Sequence, residues 1–222
     1  MKSLIKILLV AAAAVPVLPS NAQKKISEGK ITFEISYPDS DMPDEMAAMM
    51  PTEMDMYIKT DKSRIDMTMG MGMNQVMIFD NKAKTMTMLM DMMGKKIKVV
   101  STEADMKKKR EKDKTPEYKI EKTDETKTIA GYLCKKAKVT SGDYSFDMFY
   151  TDDIVLKGAE WTSEYKGIDG FPMEYLQEQG EMKMLMKAKK VAVEKIDDSK
   201  FAIPDGYKEM TPEEMQRTFG GQ

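Results

Sequence analysis

The sequence predicts a mainly β protein built as a meandering antiparallel sheet, and three observations carry that reading. Apolar and polar residues alternate with a period of two over many short runs, the pattern of strands with one apolar face. The runs are separated by short connections rich in Gly, Asp and Asn, which join neighbouring strands as hairpins. Methionine, present 25 times in 222 residues, recurs at every second position inside the runs, so that the members of each run share one face.

The elements follow in order. Ile31, Phe33, Ile35 and Tyr37 line a first strand, ended by Pro38-Asp39-Ser40. Met42 to Met50, bracketed by Pro43 and Pro51, reads as a short helix or an ordered loop. Met54, Met56 and Ile58 line the next strand, which turns at Asp61-Lys62 into Ile65, Met67 and Met69. Gly70 and Gly72 interrupt the pattern. Val76 and Ile78 then alternate with Met77 and Phe79, and both parities are apolar. After the turn Asp80-Asn81-Lys82 come Met86, Met88 and Met90, and beyond Gly94 come Ile97 and Val99. Thr102 to Lys114 has helix propensity, with Thr102 as cap and Thr115-Pro116 as stop. Strand patterns resume at Cys134 to Val139 and at Phe146, Met148 and Tyr150. Thr151 to Phe171 is an irregular connection holding the single tryptophan, Trp161, and it is expected to pack onto the sheet. Met173, Tyr175 and Gln177 form one further run, and Met182, Met184, Met186 and Ala188 another. The phase slips at Lys189-Lys190, which predicts a bulge. A short C-terminal helix is expected after Thr211, with Pro212 in its first turn.

The first 22 residues have the three parts of a secretory leader: Lys2 and Lys6, the apolar run Ile7 to Val15, and Ser20-Asn21-Ala22 as cleavage sequence. The run is shorter than the roughly 20 residues that span a bilayer. The expected organisation is a leader at 1–22 and a single β-sheet domain at 23–222, exported to the periplasm, with secretion or peripheral outer-membrane association as alternatives. No transmembrane span is expected in the mature chain. A formal net charge of −2 gives no footprint for nucleic acid.

The chemistry is bounded as much by what is missing. Histidine is absent, which removes the usual general base and the commonest metal ligand. A single cysteine, Cys134, allows no intramolecular disulfide and reads as a small buried hydrophobe. Asp152-Asp153 and Asp197-Asp198 read as turn formers. No catalytic residues and no cofactor are expected, and the protein is read as not an enzyme. The methionines carry the functional question, with Met54, Met56, Met67, Met69, Met86, Met88, Met90, Met182, Met184 and Met186 as candidate ligand-binding residues. They admit three readings: a plain core, a surface for an apolar ligand or lipid, or a soft-metal site. For the last, Met69, Met71 and Met73 are the best placed, because Gly70 and Gly72 let the backbone fold sulfurs inward. A ligand carrier requires an open methionine-lined cavity; a structural or interaction protein of the cell envelope has that space filled.

Several segments together carry a family resemblance. They are Ile31-Thr32-Phe33-Glu34-Ile35, Pro51-Thr52-Glu53-Met54, Phe79-Asp80-Asn81-Lys82 and Thr128-Ile129-Ala130-Gly131-Tyr132 with Cys134-Lys135-Lys136-Ala137. Gly167-Ile168-Asp169-Gly170-Phe171-Pro172-Met173-Glu174-Tyr175 and Phe201-Ala202-Ile203-Pro204-Asp205-Gly206-Tyr207 complete the set. On these the chain resembles the DUF4412 family of exported proteins, found largely in Bacteroidota. That family is in turn similar to the lipoprotein carrier and receptor proteins of the outer-membrane localisation pathway. The resemblance implies a strongly curved antiparallel sheet, an incomplete barrel, with a few covering helices. It would place the methionines on the concave face and make Met42 to Met50 and Thr102 to Lys114 lid candidates.

Overall fold

The computed structural model describes residues 25–38, 42–92, 94–112, 117–142, 144–179 and 182–219. The leader expected at 1–22 lies outside them. Among the described residues no helix is long and apolar enough to cross a membrane.

All strands belong to one 12-stranded sheet. The first, β1 (Glu28–Ser36), stands in its interior. On one side of it runs a meander of β2 (Glu53–Lys59), β3 (Lys62–Thr68), β4 (Asn74–Asp80), β5 (Thr85–Met92) and β6 (Lys95–Thr102). The chain then crosses through helix α2 (Glu103–Lys112) to the opposite edge. It returns by β7 (Lys119–Ile129), β8 (Tyr132–Ser141), β9 (Tyr144–Thr151), β10 (Phe171–Gln179) and β11 (Met182–Ala192), which pairs with the free side of β1. Finally β12 (Lys208–Met210) joins the far edge beside β6. Two further α-helices are α1 (Asp44–Ala47) and the C-terminal α3 (Pro212–Phe219), with short 3-10 turns at Gly70–Gly72, Ala159–Trp161 and Asp198–Phe201.

The sheet departs from the expected barrel. It is open, neither closed nor strongly curled, and β7 and β12 are its two edges. Closure would require the edges to pair along their length, and they are unsuited to it. β12 has only three residues. β7 presents Lys119, Glu121, Lys122, Asp124, Glu125 and Lys127, with a register break between Lys122 and Thr126, and such charges and bulges protect an edge from further pairing. The sheet is also mixed rather than antiparallel, because β12 runs parallel to β6. The 193–207 strap explains this. It leaves β11 at the end where β6 finishes and crosses to the other end, so it enters β12 in the direction of β6, as a parallel crossover must.

Several local expectations hold. The phase slip appears as a bulge: Thr32 pairs with Lys190 and Phe33 with Ala188, leaving Lys189 unpaired. Thr102 caps α2 by accepting from the Asp105 amide at 3.3 Å, while its own amide donates to the Asp105 carboxylate at 2.9 Å. Thr211 and Glu214 make the same reciprocal pair at α3, 3.1 and 2.8 Å, and the amide bond to Glu214 lowers that carboxyl's pKa. The turn placed at Asp61-Lys62 falls one residue earlier, on Thr60 and Asp61. The lid candidates sit at sheet ends. α1 is exposed, and α2 has no buried residue.

The connection at 152–170 does pack back. Ile26 bridges Ile154, the Lys157 amide donates to the Thr60 carbonyl at 2.8 Å, and Trp161 Nε1 donates to Asn81 Oδ1 at 3.0 Å. The Arg110 guanidinium reaches the Trp161 carbonyl at 3.2 Å. This one segment therefore ties the end of β9 to β1, to the β2–β3 turn, to the β4–β5 turn and to α2. Trp161 and Asn81 are both buried. Replacing Asn81 by Ala strands the indole N–H, and we expect a loss of about 1–3 kcal/mol. Urea unfolding checks the loss, and limited proteolysis should show new cleavage within 152–170.

Candidate functional site

In a sheet, residues directly opposite across a pair share a face, so the registers assign the paired methionines of the candidate runs. Ile31 and Phe33 of β1 face Met56 and Met54. Met54 faces Met67 and Met56 faces Ile65. Met67 faces Gln75, Ile65 faces Met77, and Ser63 faces Phe79. Gln75, Met77 and Phe79 face Met90, Met88 and Met86. Across β1, Ile35 faces Met186, which faces Tyr175, and Met184 faces Gln177. The predicted methionine runs therefore lie on one common face. Met182, opposite Gln179, continues it on β11, and Met69 follows the β3 run by one alternation beyond its last paired residue.

Their burial is graded. Met54 and Met186 are fully buried in the central cluster with Ile31, Phe33, Met173 and Ala188. Met56, Met67 and Met184 pack against that cluster half-buried. Met69, Met86, Met88, Met90 and Met182 are half-buried, and none is fully exposed. Met77 belongs to the same face but was indistinguishable from Val76 and Ile78 in the sequence. The reason is structural. Ile78, Thr87 and Leu89 on the opposite face are also buried, on the stretch crossed by the 193–207 strap. Lys59 Nζ donates to the Ile196 carbonyl and Arg64 to the Lys200 carbonyl, each at 2.8 Å, and Lys200 lies over the Tyr57 ring at 4.4 Å. With cover on that side, β4 is apolar in both parities.

The methionine face changes character along the sheet. Around β8 to β10 it is closed by rings: Tyr175 packs edge-on to Phe33 at 6.2 Å and to Tyr165 at 6.5 Å, and Tyr165 meets Phe146 and Tyr118. Tyr165, from the 152–170 connection, donates its hydroxyl to the Leu176 carbonyl. Burial pushes the Tyr175 hydroxyl up to about 12. From β2 to β5 the register positions of the same face hold Met, Ile, Phe, Ser and Gln, and no charged residue. On the opposite face beside β2, Lys30 of β1 pairs with Asp55 at 2.7 Å, an ion pair that raises the lysine's pKa.

A shallow depression of about 470 Å³ is lined by Thr32, Glu53, Lys189 and Lys190, and one of about 350 Å³ by Met210, Glu214, Arg217 and Thr218. Neither includes any of the candidate methionines; the lipid-carrier expectation is corrected by the open, uncurled sheet. Among the described residues no group of three or more His, Cys, Asp or Glu side chains could hold a metal ion. Gly70 serves close packing rather than sulfur gathering. A Cβ there would meet the Ala48 carbonyl at 2.4 Å, and its amide donates to the Met49 carbonyl at 3.0 Å, docking the segment after α1.

The chain belongs to the DUF4412 family, a domain of unknown function, whose model matches residues 28–207. In fold it is similar to the solved structure of PNGF-II in the P21 space group, with 14% identity and a TM-score of 0.53, covering 88% of this chain and 33% of that one. PNGF-II in the C2 space group gives 15% identity and a TM-score of 0.48, with 83% and 30% covered. The chain thus spans about a third of the length of PNGF-II. No curated protein matches it. Family membership stands, while the implied carrier and receptor architecture is overturned by the open, uncurled sheet.

Cys134 is wholly buried beside Tyr132, and burial pushes its thiol from 9.0 up to about 11. The folded state holds this proton more tightly than the unfolded chain. Its contribution to stability is therefore complete below pH 9 and lost as pH rises toward about 11. We expect the stability difference between the protein and Cys134→Ala to shrink over that window in denaturant titrations. We also expect the native thiol to resist alkylation until unfolding. For the methionines, Met54→Ala should cost about 2–5 kcal/mol, and Met88→Ala, half-exposed, clearly less; thermal unfolding ranks the two.

Proposed function

We propose that this domain is a non-catalytic interaction module of the cell envelope, and that its β2–β5 methionine face receives an apolar segment of a partner protein. The observation that carries the reading is the contrast within one face. Rings of the 152–170 connection close it over β8 to β10, whereas half-buried thioethers without charged neighbours occupy it over β3 to β5. Methionine is unbranched and polarizable, so such a surface adapts to partners of varied shape. The groups whose proton affinity is most displaced are Cys134, wholly buried, and Tyr175, half-buried among the rings, and neither stands on β2 to β5, which supports a role in binding rather than catalysis there. An envelope location is supported by the leader pattern of residues 1–22, and N-terminal sequencing of the exported protein should read from residue 23.

The test is site-specific photo-crosslinking in the native host, with the crosslinker at Met67, Met88 or, on the opposite face, Tyr57. We expect one polypeptide to be captured from Met67 and Met88, through an apolar segment identified by mass spectrometry, and not from Tyr57. Met77→Lys should abolish capture while thermal unfolding shows the domain still folded. Equal capture from both faces, or acyl lipid as the only adduct, would overturn the reading.

A further inference from the structure

We infer that Met67, Met77, Met88 and Met90, set around Gln75 on the β3–β5 face, form a binding site for a soft monovalent metal ion of the Cu(I) class. Gln75 lies directly opposite Met67 on one side and Met90 on the other. Met77, two residues along the same strand, lies directly opposite Met88. Opposite residues in an antiparallel pair have Cβ atoms about 4.5–5.5 Å apart and diagonal ones about 7–8 Å, within reach of long side chains. Met67 on β3 and Met88 and Met90 on β5 stand on either side of β4, about 10 Å apart at the ordinary strand spacing, so the four sulfurs meet by leaning inward over Gln75, which the long unbranched methionine side chain allows. One sulfur is already oriented: Gln75 Nε2 donates to Met88 Sδ at 3.4 Å. This aims the Met88 thioether toward the residue that Met67 and Met90 flank.

The chemistry of the donors selects the ion. Thioethers are soft, neutral ligands that favour Cu(I) over hard cations. No carboxylate occupies this face from β2 to β5 to draw calcium or magnesium, and no lysine or arginine there repels a cation. All four methionines are half-buried, accessible to an entering ion yet partly shielded from water. The site differs from the Met69, Met71 and Met73 grouping expected from sequence, since strand pairing gathers residues that the chain keeps apart. The inference does not depend on a protein partner.

Anaerobic titration of the full chain with Cu(I), in competition with a chromogenic Cu(I) chelator, tests it. We expect a single equivalent bound more tightly than micromolar, retained in Cys134→Ala, with a sulfur-only coordination shell in X-ray absorption. The double variant Met77→Leu/Met88→Leu keeps size and apolarity and should weaken binding by at least about tenfold, 1.4 kcal/mol. Met56→Leu/Met184→Leu, on the same face outside the ring, should bind as the unaltered chain does. Circular dichroism confirms that each variant is folded. Absence of binding tighter than micromolar, a nitrogen or oxygen shell, loss on replacing Cys134, or equal weakening in both double variants would overturn the assignment.

Discussion

The two ladders on β1 are the constraint on which the rest depends. This strand pairs with β2 on one side and β11 on the other, so it alone joins the meander of β2–β6 to that of β7–β11. Its inward residues Ile31, Phe33 and Ile35 are almost completely buried. β11 reaches β1 only after the chain has crossed through α2 and returned across four strands. The pair is thus distant in sequence and carries a loop-closure cost. The central cluster offsets it, because Met54, Met173, Met186 and Ala188 converge on the same three residues from three different strands.

A sheet of this width has two faces to cover and only short helices to cover them. The chain instead uses irregular segments. The 152–170 connection contributes Trp161 and Tyr165, and the 193–207 strap crosses the opposite face over β2 to β6. Each is held by polar contacts at the strand ends or along the strap: Trp161 to Asn81, Arg64 to Lys200, Lys59 to Ile196 and Asp198. The bonds from Lys59 and Arg64 satisfy the Ile196 and Lys200 carbonyls of irregular chain that neither helix nor ladder would pair. On the methionine face over β3 to β5 the side chains are half-buried, apart from the buried Ser63. Unbranched thioethers suit that position, because they pack well enough to stabilise the sheet while remaining adaptable to whatever meets them.

The edges explain why the sheet stays open. β7 is long and charged with a break in its register, and β12 is a three-residue addition to β6. Membership of the DUF4412 family is compatible with this architecture. The barrel-like geometry inferred by way of a second, more remote resemblance is not. A shared motif constrains local turns and packing, whereas closure depends on the two edges, of which the quoted motifs contain only Thr128 and Ile129 at the end of β7.

What the sequence determined by itself was local. Period-two alternation located most strands and placed each methionine run on a single face, and the slip at Lys189-Lys190 located the bulge. Thr102 and Thr211 announced their helices, and Cys134 and Trp161 were legible as buried residues. β7 was not legible, because an edge strand exposed on its polar side needs no alternation; nor was β12, whose pairing is decided by the strap that delivers it. Tertiary structure alone decided which runs lie opposite one another, that Met77 rather than Val76 joins the methionine face, and that Gln75 stands among four thioethers. It decided too that the face is open over β3 to β5 and closed by rings beyond β1. The physical reason is that side-chain direction within a strand follows from neighbouring residues, whereas register, cover and closure follow from segments that meet only after the chain has folded.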